Sequence, residues 1–138
     1  MSVPFEGGCL CRAIRYRCTA EPMAVINCYC RDCQYASGGV GATAAIVSAD
    51  AVEVQGSPAS YDLTAESGAT VSRLFCRACG SPVFARNSTG PALLAIKAGS
   101  LDDSSWLAPG AEVWTRSAPA WARLDSTLPS FGKNFGET

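Results

Sequence analysis

No histidine occurs anywhere in the 138 residues. That absence removes the commonest metal ligand and the usual proton-transfer group near neutral pH. Charge is also sparse: 17% of residues are charged, and 11 basic against 12 acidic side chains leave a formal net charge of -1. No surplus of either sign attracts nucleic acid or an anionic membrane surface. No apolar run approaches the roughly 20 residues that span a bilayer. Residues 1–8 lack the basic start and apolar stretch of a secretion signal. These absences lead us to expect a cytoplasmic protein with no membrane and no nucleic-acid partner. A hydrophobic content of 48% is that of a globular chain, and the length suits one domain over residues 1–138.

What the chain has in abundance is cysteine, eight in all. In a reducing compartment clustered cysteines favour metal binding or thiol chemistry over disulfides. Cys9-Leu10-Cys11 and Cys28-Tyr29-Cys30 place thiols two residues apart, where a disulfide within the pair would be strained. The same spacing suits two ligands of one ion. Without histidine, any metal site must be built from thiolates, carboxylates or water.

Most of the chain reads as short strands separated by turns. Ala13–Cys18 alternates, with Ile14, Tyr16 and Cys18 on one face and Arg15 and Arg17 on the other. Gly41–Val47 reads as a buried strand rich in small residues. Further strands are expected at Ala51–Gln55, Val71–Phe75, Pro82–Ala85, Leu93–Ala98 and Glu112–Thr115. Gly56-Ser57-Pro58, Asn87–Pro91 and Pro109-Gly110 mark turns between them. Two short helices are expected, one from about Asp32 to Ser37 stopping at Gly38-Gly39, the other over Leu101–Trp106. The tail from about residue 129, with Pro129, Gly132 and Gly136, is expected to be extended or frayed. The fold class is therefore mainly β, with a modest core that a metal cross-link would stabilise.

Seven cysteines fall into three clusters. Cys76-x-x-Cys79-Gly80 is the strongest signal, a tight knuckle in which two sulfurs converge and glycine supplies the backbone freedom. It needs a second pair. Cys9 and Cys11 suit that role if they lie on a strand, where alternate side chains share a face. Four thiolates would complete a tetrahedral Zn2+ site, closed and structural. Cys28, Cys30 and Cys33 lack an obvious fourth partner, and three protein ligands with one open position is the pattern of a catalytic zinc. A helix starting near Asp32 would add its positive end to that cluster. A rival grouping joins Cys30 and Cys33 to Cys76 and Cys79 as a zinc ribbon. The intervening residues 34–75, 42 in all, far exceed the roughly 15–20 of that module. Cys18 keeps phase with Ile14 and Tyr16 and reads as a buried, inert thiol.

Arg12, Arg31 and Arg77 each follow a cluster cysteine. They either offset the negative charge of a thiolate-rich site or hold the carboxylates of an acidic thiol, unless they are ordinary solvated arginines. Trp106, Trp114 and Trp121 could line a pocket, although tryptophan in a small β domain more often belongs to the core.

Taken in order, Gly8-Cys9-Leu10-Cys11, Ile14-Arg15-Tyr16, Cys28-Tyr29-Cys30-Arg31-Asp32-Cys33 and Phe75-Cys76-Arg77-Ala78-Cys79-Gly80-Ser81 resemble the glutathione-dependent formaldehyde-activating enzyme family, which shares its domain with centromere protein V. Ala98-Gly99-Ser100-Leu101-Asp102 and Trp114–Trp121 extend the match, so that it runs from about Phe5 to Phe131. The resemblance implies a β-tent of small antiparallel sheets. It implies a structural zinc on Cys9, Cys11, Cys76 and Cys79, and a catalytic zinc on Cys28, Cys30 and Cys33. The implied activity is that of a carbon–sulfur lyase joining formaldehyde to a small glutathione-like thiol. Many relatives carry histidine inside the three-cysteine motif and again near the late strand, where this chain has Tyr29 and Ala111-Glu112. Proton transfer would then fall to Tyr29, Glu112 or water. The competing reading is a zinc-stabilised binding module without catalysis. Oligomeric state, homodimer included, is left open.

Overall fold

The computed structural model describes residues 3–138. Ten strands and one α-helix make up the regular structure: β1 (Phe5–Gly8), β2 (Arg15–Cys18), β3 (Ala24–Cys28), α1 (Arg31–Ser37), β4 (Ala42–Ser48), β5 (Val52–Gln55), β6 (Ala59–Thr64), β7 (Thr70–Phe75), β8 (Pro82–Asn87), β9 (Leu93–Lys97) and β10 (Ala111–Val113). They form a three-stranded sheet, ordered β1-β2-β5, and a seven-stranded sheet, ordered β10-β3-β4-β9-β8-β7-β6. Neighbours run antiparallel except β10, which lies parallel to β3. The fold is mainly β, as expected.

The two sheets bury one core between them. Phe5, Tyr16 and Cys18 from the small sheet meet Val47, Val83, Phe84, Leu94 and Ile96 from the large one. The Tyr16 and Phe84 rings lie 5.1 Å apart, and the Tyr16 hydroxyl shares a 2.7 Å hydrogen bond with Ser100 Oγ. Each fully buried aliphatic or aromatic side chain stabilises the fold by about 1.5–3 kcal/mol. Cys18 is wholly buried, its thiol donating to Ala20 O at 3.4 Å, in keeping with an inert core residue.

Along the large sheet, cross-strand partners set one face apart. Cys28 pairs with Ala42, Ala44 with Lys97, Ala95 with Ala85, and Ala85 with Arg73. Residues two apart on a strand share a face, so all seven of these residues lie on the same side. Val47, Phe84, Leu94 and Ile96 occupy the opposite, core side. Four alanines thus pave a shallow floor with Cys28 and Arg73 at its two ends and Lys97 between them.

Local differences from the expected elements have identifiable causes. No helix covers Leu101–Trp106. Instead a 3-10 turn spans Ala98–Ser100 and Leu101 forms an isolated bridge with Gly7. Six residues are too few to offset helix nucleation. Asp102 is drawn away to Arg15, whose Nη1 donates to Asp102 Oδ1 at 2.8 Å, and Asp103 Oδ1 accepts the Ser105 N–H at 2.9 Å. The late strand ends at Val113 because Trp114 adopts a left-handed backbone, φ 55°. Three strands had no clear sequence signal: β1, β3 and β6. The tail is not frayed: Glu112 and Trp114 donate to Pro129 O and Lys133 O at 2.9 and 2.8 Å, and Phe131 N–H returns to Glu112 O.

Candidate metal centres

All eight cysteines are free thiols, and seven of them gather into two groups. Cys9, Cys11, Cys76 and Cys79 form one, and Cys28, Cys30 and Cys33 the other. Within each group every sulfur lies within 4.8 Å of the others. The ribbon-type pairing of Cys30 and Cys33 with Cys76 and Cys79 is not formed.

The four-sulfur group joins two turns. Cys9 and Cys11 lie after the end of β1 in the turn leading to β2, not on a strand as expected. The turn curls through Arg12 N–H to Cys9 O at 3.0 Å, and the Ile14 N–H reaches Cys9 Sγ at 3.2 Å. Opposite it, Gly80 N–H closes on Cys76 O at 2.7 Å, with Gly80 at φ 78°, a backbone conformation that side chains disfavour. The Ala78 N–H points at Cys76 Sγ at 3.4 Å, and the Leu10 N–H donates to Ser81 Oγ at 3.1 Å, lacing one turn to the other. Cys11 Sγ is 3.7 Å from both Cys9 Sγ and Cys76 Sγ. A tetrahedron of sulfurs at the usual Zn–S length has edges of about 3.8 Å, so the donor set and spacing fit zinc. The Ser81 hydroxyl beside Cys79 lowers that thiol to about 5, favouring the thiolate a metal needs.

The three-sulfur group is built on a strand end and a helix start. Cys28 ends β3. Cys30 is the N-cap of α1, its sulfur accepting the Cys33 N–H at 3.3 Å, and Cys33 lies buried in the first turn. Gly38 closes the helix where the sequence predicts it, returning its N–H to Gln34 O at 2.8 Å. Gln34 Nε2 holds the site against the tail side of the molecule by bonding Tyr29 O at 2.9 Å and Ser117 O at 3.0 Å. Gly41 allows close approach: a Cβ there would lie 2.3 Å from Cys28 O. Hydrogen bonds from Cys28 and then Cys30 lower the Cys33 thiol to about 2, with Lys97 and Arg73 adding to the effect. The same contacts, and burial, push Cys28 upward. Soft sulfur donors and three converging ligands fit zinc with one coordination position left for another ligand.

Cys30 opens onto a cleft of about 430 Å³ bounded by Asp32, Arg73, Trp114 and Asn134. A second cleft of about 540 Å³ shares Asp32 and Arg73 and is walled by Tyr35, Tyr61, Leu63 and Lys97. A third, of about 770 Å³, runs from Cys9, Arg15 and Asp102 to Ala42 and Lys97 on the alanine-paved face. Four sulfurs leave no position for a further ligand, and of these three clefts the 430 Å³ one is lined by a cysteine of the three-sulfur group, so it is the one suited to chemistry there.

Several residues singled out by sequence have other occupations. Arg31 bonds Gln34 Oε1 and lies over the Tyr35 ring at 4.9 Å, while Arg12 and Arg77 are exposed. Trp106 packs on Phe5 at 4.9 Å, Trp114 donates to Asn134 Oδ1 at 3.0 Å, and Trp121 is exposed. Glu112 is buried and fully engaged. Its Oε2 accepts from Tyr29 Oη at 2.7 Å and Asn27 Nδ2 at 3.2 Å, and its Oε1 accepts the Asp125 N–H at 3.0 Å. Burial and the carboxylate together raise the Tyr29 phenol to about 12. Tyr29 and Glu112 therefore form a structural pair, poorly suited to passing protons.

Sequence reasoning missed Arg73 and Lys97. Arg73 Nη2 points at Cys33 Sγ at 3.6 Å, and its Nε and Nη1 are buried with no hydrogen-bond partner among the described residues. Burial pushes the Lys97 ammonium down, and the Cys33 thiolate opposes that shift. The available signal was a lone cation in each of two strands, at the end of the apolar Leu93–Lys97 and within Thr70–Phe75.

The profile of the family described as glutathione-dependent formaldehyde-activating enzyme matches residues 4–117. The chain belongs to this family. In shape it is similar to a Rhodobacter sphaeroides protein of known crystal structure, with a TM-score of 0.57 and 20% identity over 75% of this chain and 91% of the other. That likeness extends to the fold alone. No functionally curated protein matches in sequence. No helix among the described residues is long and apolar enough to cross a membrane.

Proposed function

We propose that the protein is a cytoplasmic, zinc-dependent carbon–sulfur lyase that joins formaldehyde to glutathione as S-hydroxymethylglutathione. Family membership supports the substrate pair. The observation that carries the zinc dependence is the contrast between four converging sulfurs at one group and three at the other. In this reading Cys9, Cys11, Cys76 and Cys79 hold a structural ion, and Cys28, Cys30 and Cys33 hold a catalytic one. When bound at the three-sulfur group, zinc supplies a Lewis acid with a vacant position for a substrate atom.

The chain's own residues orient and exclude. Cys30 lines the cleft, and Cys28 and Cys33, on β3 and α1, would hold the ion beside it. Sulfur adds to the aldehyde carbon, one C–S bond forms as the carbonyl π bond opens, and the thiol's proton ends on the carbonyl oxygen. Neither oxidant nor reductant is required. With Glu112 and Tyr29 committed to each other, water carries the proton. The addition is facile without a catalyst, so holding thiol and aldehyde together supplies most of what is needed.

The test combines metal content with rate. Elemental analysis should find two zinc ions in the wild type and one in Cys30→Ser, with S-hydroxymethylglutathione forming faster only over the wild type. Equal rates over wild type, Cys30→Ser and buffer would refute the enzymatic reading. Two ions without acceleration would identify a zinc-stabilised binding module.

A further inference from the structure

The two sulfur groups differ in the fixed charge around them. Four thiolates and Zn2+ sum to −2, and three thiolates and Zn2+ sum to −1. Beside the three-sulfur group stand Arg73, with Nη2 3.6 Å from Cys33 Sγ, and Lys97, on the same alanine-paved face of the sheet. The two ion pairs among the described residues are Arg15–Asp102 and Lys133–Glu66, so neither Arg73 nor Lys97 has a carboxylate partner there. Asp32 also borders both clefts but is exposed, where solvent screens its charge, so the two half-buried cations against a site of charge −1 leave a surplus of +1 on the sheet face. Arg73 Nε and Nη1 are buried there without an acceptor among the described residues. One additional monoanion would cancel that surplus and offer the missing acceptor. A neutral fourth ligand would do neither.

We infer that Arg73 and Lys97 are specificity-determining residues that make the Cys28/Cys30/Cys33 centre select an anionic fourth ligand, a thiolate, over a neutral one. Arg73 acts at contact range and Lys97 through the field along the sheet face. A thiol entering the centre leaves its proton with solvent and arrives as the required monoanion. The inference rests on the reading of the three cysteines as a metal centre, and it adds residues outside the ligand set.

Cobalt(II) exchanged into the full chain reports its fourth ligand through its visible spectrum. At one fixed pH the protein is titrated with 2-mercaptoethanol, charged only at sulfur when bound, and with imidazole, a neutral ligand. Removing one unit charge near the site should weaken an anion by about 10- to 100-fold at protein-like screening. Arg73→Gln is therefore expected to weaken 2-mercaptoethanol by that factor and to leave imidazole within about threefold. Arg73→Lys should restore most of the thiol affinity. Lys97→Gln should give the same selective loss at smaller size, and it carries the test if Arg73→Gln fails to fold or to load metal. Equal losses for both ligands, or an unchanged thiol affinity, would overturn the inference while leaving the metal centre intact. A wild type that takes up one cobalt instead of two would overturn the metal centre and the inference together.

Discussion

The two sulfur groups sit at opposite ends of a design choice. The four-sulfur group is made entirely from turns, Cys9 and Cys11 from one and Cys76 and Cys79 from another, and among the described residues the hydrogen bonds to its sulfurs come from backbone N–H groups, Ser81 and the cysteines themselves. The three-sulfur group is made from a strand end and a capped helix, with Arg73 and Lys97 alongside. Turns have little structure of their own, so an ion shared by two of them holds distant parts of the chain together. A strand end and a helix are already held by the sheet and by Gln34, so an ion there is free to serve a ligand. Fold stability should therefore depend on the first group, and ligand chemistry on the second.

That division can be broken most directly at Cys76. Cys76→Ser should release the ion of the four-sulfur group and with it much of the folding free energy, on the order of 5 kcal/mol or more. Loss of cooperative thermal unfolding by circular dichroism would show it, whereas a melting transition like the wild type's would place stability elsewhere. Next in size is Glu112→Ala, which strands three donors around a buried site and should cost about 3 kcal/mol in urea unfolding. A neutral result would mean that Glu112 is not the anchor of the late strand. Cys30→Ser should halve the zinc content yet lower stability by only about 1 kcal/mol, because the helix and sheet persist without the ion. A collapse as large as that of Cys76→Ser would erase the contrast between the groups.

Smaller effects sharpen the comparison by probing the core that both groups share. Burial raises the Tyr16 phenol to about 12. The fold favours the neutral phenol, so its contribution is complete below about pH 10, the unfolded value, and is lost as pH rises towards 12. Urea midpoints measured across that range should fall for the wild type and fall less for Tyr16→Phe. Cys18→Ala is the smallest change: about 1 kcal/mol from lost packing and no change in zinc content. A drop in metal would contradict its place in the core.

The grouping of cysteines was legible in the sequence because metal knuckles are local: Cys76-x-x-Cys79-Gly80 needs only its own turn to converge. The helix from Arg31 to Ser37 and its stop at Gly38 were equally local. Strands β1, β3 and β6 were harder to find, since β3 is half-buried along its whole length and shows no alternation. The expected helix at Leu101–Trp106 failed because Leu101 and Asp102 find partners in Gly7 and Arg15, far away in sequence.

By itself the sequence pointed to seven of eight thiols gathering into sets of four and three that could hold a metal, since spacing and the lack of histidine leave few other donors. Only the tertiary structure decided which charges stand beside them. Arg73 and Lys97 lie 40 and 64 positions from Cys33 and reach it through strand register across the sheet, whereas Arg12 and Arg77, next to cysteines in the chain, point to solvent. Neighbourhood along a chain governs turns and caps, but the field at a buried site depends on sheet pairing, and pairing is a property of the whole fold.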